Sequence, residues 1–511
     1  MRALISVWDK TGLDTLATGL DELGWELVAS GGTAAAIEGL GLEVTPVEDV
    51  TRFPEMLGGR VKTLHPHIHA GILARRNLDD DLETIAAHGI EPIDLVCVNL
   101  YPFAAVAARR GVSEEEVVEM IDIGGPSLLR AAAKNHVDVI PLCRAEDYED
   151  VLHELRARDG ELSDETRWRL AAVAFATTAA YDAAVSGWFG ADEAFPQTLI
   201  PVFDKSYDLP YGENPHQGAA YYAERGARTH LLARVEQLHG RALSFNNLND
   251  LNAARLLARE FTLPACVIVK HANPCGVALG ASIEEAYECA LAADPLSAYG
   301  GVVVLNRPVS AALGRRLAEQ FVEVLFAPGF DETALEALAQ KPAIRILNDT
   351  ERRTGEASER ELKRVLGGLL VQERDWDVAG REGMEVVCGS PSETAWGDLL
   401  FAWRVCKHVA SNAIVLANDL TTVGIGAGQM SRVDAVRLAV EKAREHGHAL
   451  EGAALASDAF FPFPDGPRLA LEAGVAAIIQ PGGSKRDPDV VAAVEAAGAA
   501  MIFTGRRHFR H

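Results

Sequence analysis

Cysteine is scarce and scattered. The 511 residues hold seven, at positions 97, 143, 266, 275, 289, 388 and 406, odd in number and without Cys-x-x-Cys spacing. That argues against a disulfide framework and for reduced thiols in a cytoplasmic setting. Long apolar runs are missing as well: none reaches the ~18–20 consecutive apolar residues that a membrane span needs. The opening MRALISVWDKTG lacks the charged-then-apolar order of a secretory signal. Basic charge is in deficit, 48 Lys and Arg against 73 Asp and Glu, for a formal net charge of −25. Such a surface repels nucleic-acid phosphate, and an anionic ligand would need a local basic pocket. No low-complexity tract occurs. These absences predict a cytoplasmic globular protein with neither nucleic acid nor membrane as partner, and the length predicts two to four domains.

What is present is alternation. ALISV (3–7), WELVA (25–29), IDLVCVNL (93–100) and VDVIPL (137–142) read as strands. DTLATGLDEL (14–23), TAAAIEGL (33–40), SEEEVVEMI (113–121) and PSLLRAAAKN (126–135) read as helices between them. This order predicts a parallel sheet covered by helices on both faces. A charged helical stretch runs from about 145 to 190. FPQTLIPVFDKSYDLPYGENPHQ (195–217), with four prolines and little periodicity, reads as a domain boundary. Beyond it come ACVIVKH (265–271), SIEEAYECALAAD (282–294) and GGVVVLN (300–306). A second set follows: SNAIVLAN (411–418), TTVGIGAG (421–428), RVDAVRLAVEKAREHG (432–447), AALASDAFF (453–461) and VAAIIQPGG (475–483). Two successive α/β units are expected there, with no sequence period between them.

Four loops of the first half carry ligand-like chemistry. SGGT follows a strand and opens a helix, so Ser30, Gly31, Gly32 and Thr33 could cradle a phosphate or simply cap a tight turn. GGRVKTLHPHIHAG (58–71) sets Arg60, Lys62 and Thr63 beside a glycine pair, which suits an anion. His65, His67 and His69 alternate and on a strand would share one face. Without a spaced carboxylate or cysteine, zinc is the weaker reading, and a solvated basic loop stays open. NLYPF (99–103) puts Asn99 and Tyr101 at a carboxyl strand end, where open α/β sheets hold ligands. In DIGGPSLLRAAAKN (122–135), Gly124 and Gly125 allow close backbone approach and Pro126 suits a first helical position. Lys134 lies seven residues after Ser127, on the same helical face, a spacing that solvated surface would also satisfy.

Together with SVWDKTGL, YGENPHQ, KHANPCG, SNAIVLA, GIGAGQMSR, SDAFFPFPD and the closing RRHF, these motifs run in order over nearly the whole chain. So arranged, they resemble the bifunctional AICAR transformylase/IMP cyclohydrolase family. The resemblance implies an α/β protein in two parts. Residues 1–198 would form a methylglyoxal-synthase-like cyclohydrolase domain on a Rossmann-like parallel sheet. Residues 199–511 would form a transformylase domain of two cytidine-deaminase-like subdomains. The implied activity is formyl transfer from the co-substrate 10-formyltetrahydrofolate to AICAR, then dehydrative closure of formyl-AICAR to IMP. A homodimer with transformylase sites built across the interface is implied too, without a catalytic metal and in some members with a structural potassium ion. The family roles fall on Lys62, Tyr101, Asp122 and Lys134 as cyclohydrolase catalysts. Lys10, Ser30 to Thr33, Arg60, Thr63, Asn99, Gly124 and Gly125 would bind substrate. A lysine and a tyrosine can shuttle the protons of ring closure, and glycine N–H groups can hold a developing oxyanion. Trp8 stands where the family form SVSDKTG has serine, which removes one phosphate-side hydroxyl.

VKHANPCG (269–276) follows a buried run with two basic side chains and a cysteine. Zinc deaminases carry Pro-Cys-x-x-Cys and an earlier His-x-Glu. Here Pro274 and Cys275 are followed by Gly276, Val277 and Ala278, and no His-x-Glu precedes. Cys275 is therefore expected to be a packed thiol. Lys270 and His271 are left as the chemistry, against the alternative of a basic pair on a surface turn. An adjacent ammonium disfavours imidazolium, so His271 is expected as proton acceptor and Lys270 as its electrostatic partner. By the resemblance, Asn412 orients the transferred formyl and Arg432 clamps the AICAR phosphate or ribose. Tyr211, Gly300, Glu323, Phe460, Asp465 and Arg507 bind substrate, with Phe509 and His511 on neighbouring nucleotide-site positions. GIGAG is not a dinucleotide fingerprint, since Arg444 stands about where an acid is required. Pro210 replaces an expected arginine, so Pro210→Arg is expected to lower the KM for AICAR.

Three rivals follow. A metabolite-sensing module would keep the phosphate loops without Lys62, Tyr101 and Lys134. A zinc deaminase needs the missing cysteine. A protein with one active half would have lost the transformylase, given Pro210. The expected tests are loss of formylation in His271→Ala and accumulation of formyl-AICAR in Lys134→Ala.

Overall fold

The structure, a computed structural model, describes residues 1–226, 232, 235–349, 360–377 and 380–511. It divides into two compact units, Met1–Val202 and Phe203–His511.

In the first unit, five parallel strands stand in the order Thr45–Pro46, Glu26–Ala29, Arg2–Val7, Leu95–Asn99, Ile140–Leu142. Leu95 to Val98 are all buried, because helices cover both faces and leave no solvent side on which polar residues could alternate. One face packs Leu16 and Leu20 against Val151, Leu152 and Leu155. The other packs Ile68 and Ile72 against Leu128, Leu129 and Ala174. The direction of winding reverses between Arg2–Val7 and Leu95–Asn99, which opens a crevice at the carboxyl ends of those neighbours. The helix Asp164–Phe189 is long and apolar enough to cross a membrane by length and composition alone. Its apolarity is spread through alanines; Leu170, Ala171, Ala174 and Thr178 are buried, and the helix packs on Gly124–Lys134 and Ile140–Leu142.

The second unit contains one twelve-stranded sheet made of two halves with the same internal order. The first half runs Glu236–His239, Arg345–Asn348, Val322–Ala327, Gly301–Leu305, Ala265–Lys270, Asn273–Leu279. The second runs Glu385–Cys388, Ala500–Phe503, Ala477–Gln480, Ala454–Ser457, Ile414–Asn418, Thr421–Gly426. The halves meet where Ala278 lies opposite Thr421 in an antiparallel pair. Each half ends in a hairpin preceded by one helix, Phe245–Ala258 or Glu393–Cys406, and followed by another, Ile283–Ala293 or Arg432–Glu445. Serines cap all four helices: Ser244, Ser392, Ser282 and Ser431 each accept a backbone N–H of the first turn. Gly276 and Gly424 let the following helix close on the hairpin. A Cβ there would lie 2.0 Å from the Ala290 carbonyl oxygen and 2.1 Å from that of Ala439. Two further hairpins, Phe203–Leu209 with Ala219–Glu224 and Arg360–Val365 with Gly368–Glu373, form separate two-stranded sheets.

Candidate active sites

The crevice of the first unit is a cavity of about 790 Å3. Lys10, Ser30, Gly32, Thr33, Arg60, Lys62, Thr63, Asn99, Tyr101, Asp122, Gly124 and Gly125 all line it, so most of the expected first-half set is brought together. Two helix N-termini face this space, Gly31–Glu38 and Gly124–Lys134, and neither has an acidic residue in its first turn. The N–H groups of Gly31–Glu38 carry no side-chain cap and are available to an anion, whereas at Gly124–Lys134 the Asp122 carboxylate already accepts the Gly125 N–H. Gly31 sits at φ 49°, and a Cβ there would come within 2.8 Å of Lys62 Nζ, so the ammonium lies directly against the cradle. Lys10 Nζ donates to Thr33 Oγ1 at 3.3 Å, and burial lowers the pKa of that amine.

Tyr101 and Asp122 form the titratable centre. The Asp122 carboxylate accepts the Gly125 N–H at 2.7 Å, yet burial outweighs its donors and raises its pKa. Burial also raises the Tyr101 phenol, with the Asp122 charge second and Lys62 opposing. Both groups thus hold protons more tightly than they would in water. Lys62 Nζ pairs with Glu55 at 2.6 Å and Arg60 pairs with Glu119. Neither glutamate was anticipated from the sequence, because each is an isolated acid far from any motif. Asn99 is occupied: its Oδ1 accepts the Trp8 and Asp9 N–H groups at 2.5 and 3.0 Å, and its Nδ2 donates to the Asp9 carbonyl. It shapes the loop that carries Trp8, whose ring lies 5.1 Å from that of Tyr101.

Two first-half expectations meet a different geometry. Lys134 does not line the cavity. It is the exposed last residue of a helix whose first residues do, so the rise of ~1.5 Å per residue carries it ~15 Å away. The histidines do not share a strand face, because Pro66 starts the helix Pro66–Leu73 and His65 caps it, accepting the His67 N–H at 3.2 Å. One unanticipated contributor is Tyr181, whose hydroxyl accepts the Asp122 N–H and donates to the Met120 carbonyl, both at 2.8 Å.

In the second unit, Lys270 and His271 stand at the tip of the first hairpin and line a cavity of about 410 Å3 with Cys275, Asp294, Ser297 and Lys442. His271 and Ala272 both occupy the left-handed region, at φ 53° and 60°. Lys270 Nζ donates to the Tyr299 carbonyl at 2.6 Å, and Gly300, at φ 70°, is 4.0 Å from that nitrogen as judged from a Cβ built on it. Burial, with Asp294 second, pushes the Cys275 thiol up to about 12, so it is a packed group rather than a nucleophile. Asn273 was not anticipated. Its Nδ2 donates to the His271 carbonyl at 3.3 Å and its Oδ1 accepts the Ala410 N–H at 2.9 Å, tying the hairpin to the segment bearing Asn412.

Asn412 is fixed at both ends of its amide: Nδ2 donates to the Gln429 carbonyl and Oδ1 accepts from Arg432 Nη2, each at 2.7 Å. Arg432 is buried and pairs with Asp458 and Ser457 as well. Its guanidinium is thus committed inside the protein and holds Asn412, rather than standing open as a phosphate clamp. Glu323 accepts from Asn247 Nδ2 at 2.9 Å on the helix that precedes the His271 hairpin. Phe460 is exposed just beyond Asp458, and Asp465 opens the helix Asp465–Glu472. Tyr211 is exposed beside Pro210, and Arg507 lies over the Phe509 ring at 4.6 Å. These last residues do not line the 410 Å3 cavity.

Among the described residues no three His, Cys, Asp or Glu side chains converge to hold a metal ion.

The chain matches the family model described as AICARFT/IMPCHase bienzyme over residues 132–442 and the MGS-like domain model over residues 12–127. The bifunctional purine biosynthesis protein PurH of Magnetococcus marinus is 50% identical, across 100% of this chain and 99% of that one. The protein of the same description from Cereibacter sphaeroides is 51% identical, across 100% of this chain and 98% of its own. A solved structure described as the crystal structure of ForH is 42% identical over 37% of this chain and 97% of its own length, with a TM-score of 0.35.

Proposed function

The chain belongs to the AICAR transformylase/IMP cyclohydrolase bienzyme family, and from that premise we propose how its two reactions divide between its own residues. The enzyme formylates AICAR and closes formyl-AICAR to IMP. We assign ring closure to the domain of residues 1–198 and formyl transfer to residues 199–511.

In formyl transfer, the amine of AICAR attacks the formyl carbon of 10-formyltetrahydrofolate. The new C–N bond forms, the bond to the folate N10 breaks, and N10 takes up a proton. The amine is a weak nucleophile, since its lone pair is delocalised into the imidazole and carboxamide, so its proton must be collected as the bond forms. His271 accepts that proton, Lys270 stabilises the tetrahedral oxyanion, and Asn412 orients the formyl group. Arg432 acts through Asn412. In ring closure, the carboxamide nitrogen attacks the formyl carbon and water leaves. Lys62, Tyr101 and Asp122 move the protons, while Lys10, Thr33 and the open N-terminus of Gly31–Glu38 hold the phosphate. Tyr211, Gly300, Glu323, Phe460, Asp465 and Arg507 are proposed to bind substrate.

The observation that carries the transferase assignment is the left-handed hairpin tip, which presents Lys270 and His271 together at a cavity. The test is an absorbance assay with AICAR and 10-formyltetrahydrofolate. His271→Ala is expected to abolish formylation, and Lys62→Ala to let formyl-AICAR accumulate. Formylation retained by His271→Ala would sink the assignment. We further propose a cytoplasmic homodimer. Seven free cysteines support the compartment, and exposed Leu366, Leu369 and Leu370 on a two-stranded hairpin support a second copy. Sedimentation velocity reads the latter directly.

A further inference from the structure

Two hairpin turns of the second unit are built alike, yet only one carries basic side chains. At each tip both residues lie in the left-handed region: His271 and Ala272 at φ 53° and 60°, Asp419 and Leu420 at φ 49° and 55°. Of the four only Asp419 is among the glycine, asparagine and aspartate that such two-residue turns favour, and none is glycine, so each turn draws on an outside partner to hold it. That partner is an aspartate of the preceding helix in both cases. Asp250 accepts the His271 N–H at 3.2 Å on one carboxylate oxygen and the Ala272 N–H at 2.7 Å on the other. Asp398 accepts the Leu420 N–H at 2.7 Å and is also bonded by the Asp419 backbone. Burial raises both carboxyls while these backbone donors oppose it, so the turn is what favours the charged form at each position.

A side chain on a left-handed residue leaves the backbone in a direction set by that φ, so whatever fixes the turn aims the imidazole. We infer that Asp250 is a positioning residue for formyl transfer, gripping the N–H groups of His271 and Ala272 so that the imidazole points into its cavity. Asp398 does the same mechanical work at a tip with no proton to move. This holds only if His271 is the proton acceptor proposed above.

The duplication supplies its own control. Asp250→Asn keeps the shape but replaces one acceptor oxygen by a donor, so one of the two N–H groups loses its partner. Formyl-transfer kcat is expected to fall by about tenfold to 100-fold, the range a misplacement of ~1 Å produces, while the KM for AICAR and ring closure stay put. Asp398→Asn is expected to lower thermal stability similarly and leave formyl transfer unchanged. Ala272→Gly placed in the Asp250→Asn chain should restore part of kcat, because glycine adopts the left-handed conformation without strain. That double variant also guards against simple misfolding of the single one. Wild-type kcat in Asp250→Asn, an equal loss in Asp398→Asn, or no recovery with Ala272→Gly would each overturn the positioning role. His271→Ala, run alongside, separates the two claims: if it stays active the acceptor assignment falls, and if it is dead while Asp250→Asn is normal only the positioning role falls.

Discussion

Trp8 changes the environment of the group it touches. Its ring packs on Tyr101 at the cavity wall, where burial already holds the phenol above its usual range. Trp8→Ser would return the family hydroxyl and also admit water to Tyr101. The phenol should then titrate lower, and the basic limb of the ring-closure pH–rate profile should move to lower pH. An unmoved limb would show that Trp8 is not what shields Tyr101. The two lysines separate just as sharply. Lys62 lies against the glycine cradle, whereas Lys134 stands exposed at the far end of its helix. Lys62→Ala is therefore expected to slow ring closure by about 100-fold or more, and Lys134→Ala to leave it near wild type. Sharing a face with Ser127 was not enough to place Lys134 at the ligand, because the same seven-residue interval carries it ~10 Å along the helix axis. An equal loss in Lys134→Ala would mean that the site draws on this residue in a way its position does not explain.

At the scale of elements, the duplicated hairpins depend on glycines under their following helices. A Cβ at Gly424 would lie 2.1 Å from a backbone oxygen, which no side-chain rotation can relieve, so the helix Arg432–Glu445 must move outward. Overpacking of this kind costs about 1–3 kcal/mol, and shifting this helix also shifts Arg432 and Asn412. Gly424→Ala should therefore lower both the melting temperature and formyl transfer. Gly218→Ala, with open space around it, should change neither. Calorimetry and the formylation assay on the pair give the comparison. Four strands of the first sheet were legible in the sequence because each is a short apolar run between amphipathic helices; the two-residue Thr45–Pro46, with no such run, was not. Two successive α/β units were legible beyond the boundary, but their likeness as a repeat came only from the family resemblance and not from any period. What the halves share is two left-handed residues, a capping aspartate and a glycine beneath a helix, and His-Ala aligned with Asp-Leu leaves no period to detect. Lys270 and His271 could be read from their motif, but Asp250 and Asn273 could not, since their partners are backbone groups brought together only by the fold.

For the whole molecule, acidification sets two effects against each other. Lowering the pH toward the sequence pI of about 5.0 neutralises a surface of formal charge −25 and relieves repulsion, which favours the folded state. Two largely buried histidines oppose this. Burial holds His69 and His408 below the ordinary 6.5, and His408 is locked against Glu260, which also takes Lys407 at 2.9 Å. As pH falls through the unfolded value, the unfolded chain takes up these protons before the folded one can. Their contribution is thus complete above ~6.5 and is lost as pH falls from there toward the folded pKa values. Surface repulsion is screened over ~8 Å at physiological ionic strength, whereas the buried groups are not, so the histidine effect should dominate. The melting temperature is expected to fall between about pH 7 and 5.5, to keep falling in high salt, and to fall less steeply in His408→Gln, which retains a donor to Glu260. A melting temperature that rose over this interval would mean that surface charge, not the buried imidazoles, governs the acid response.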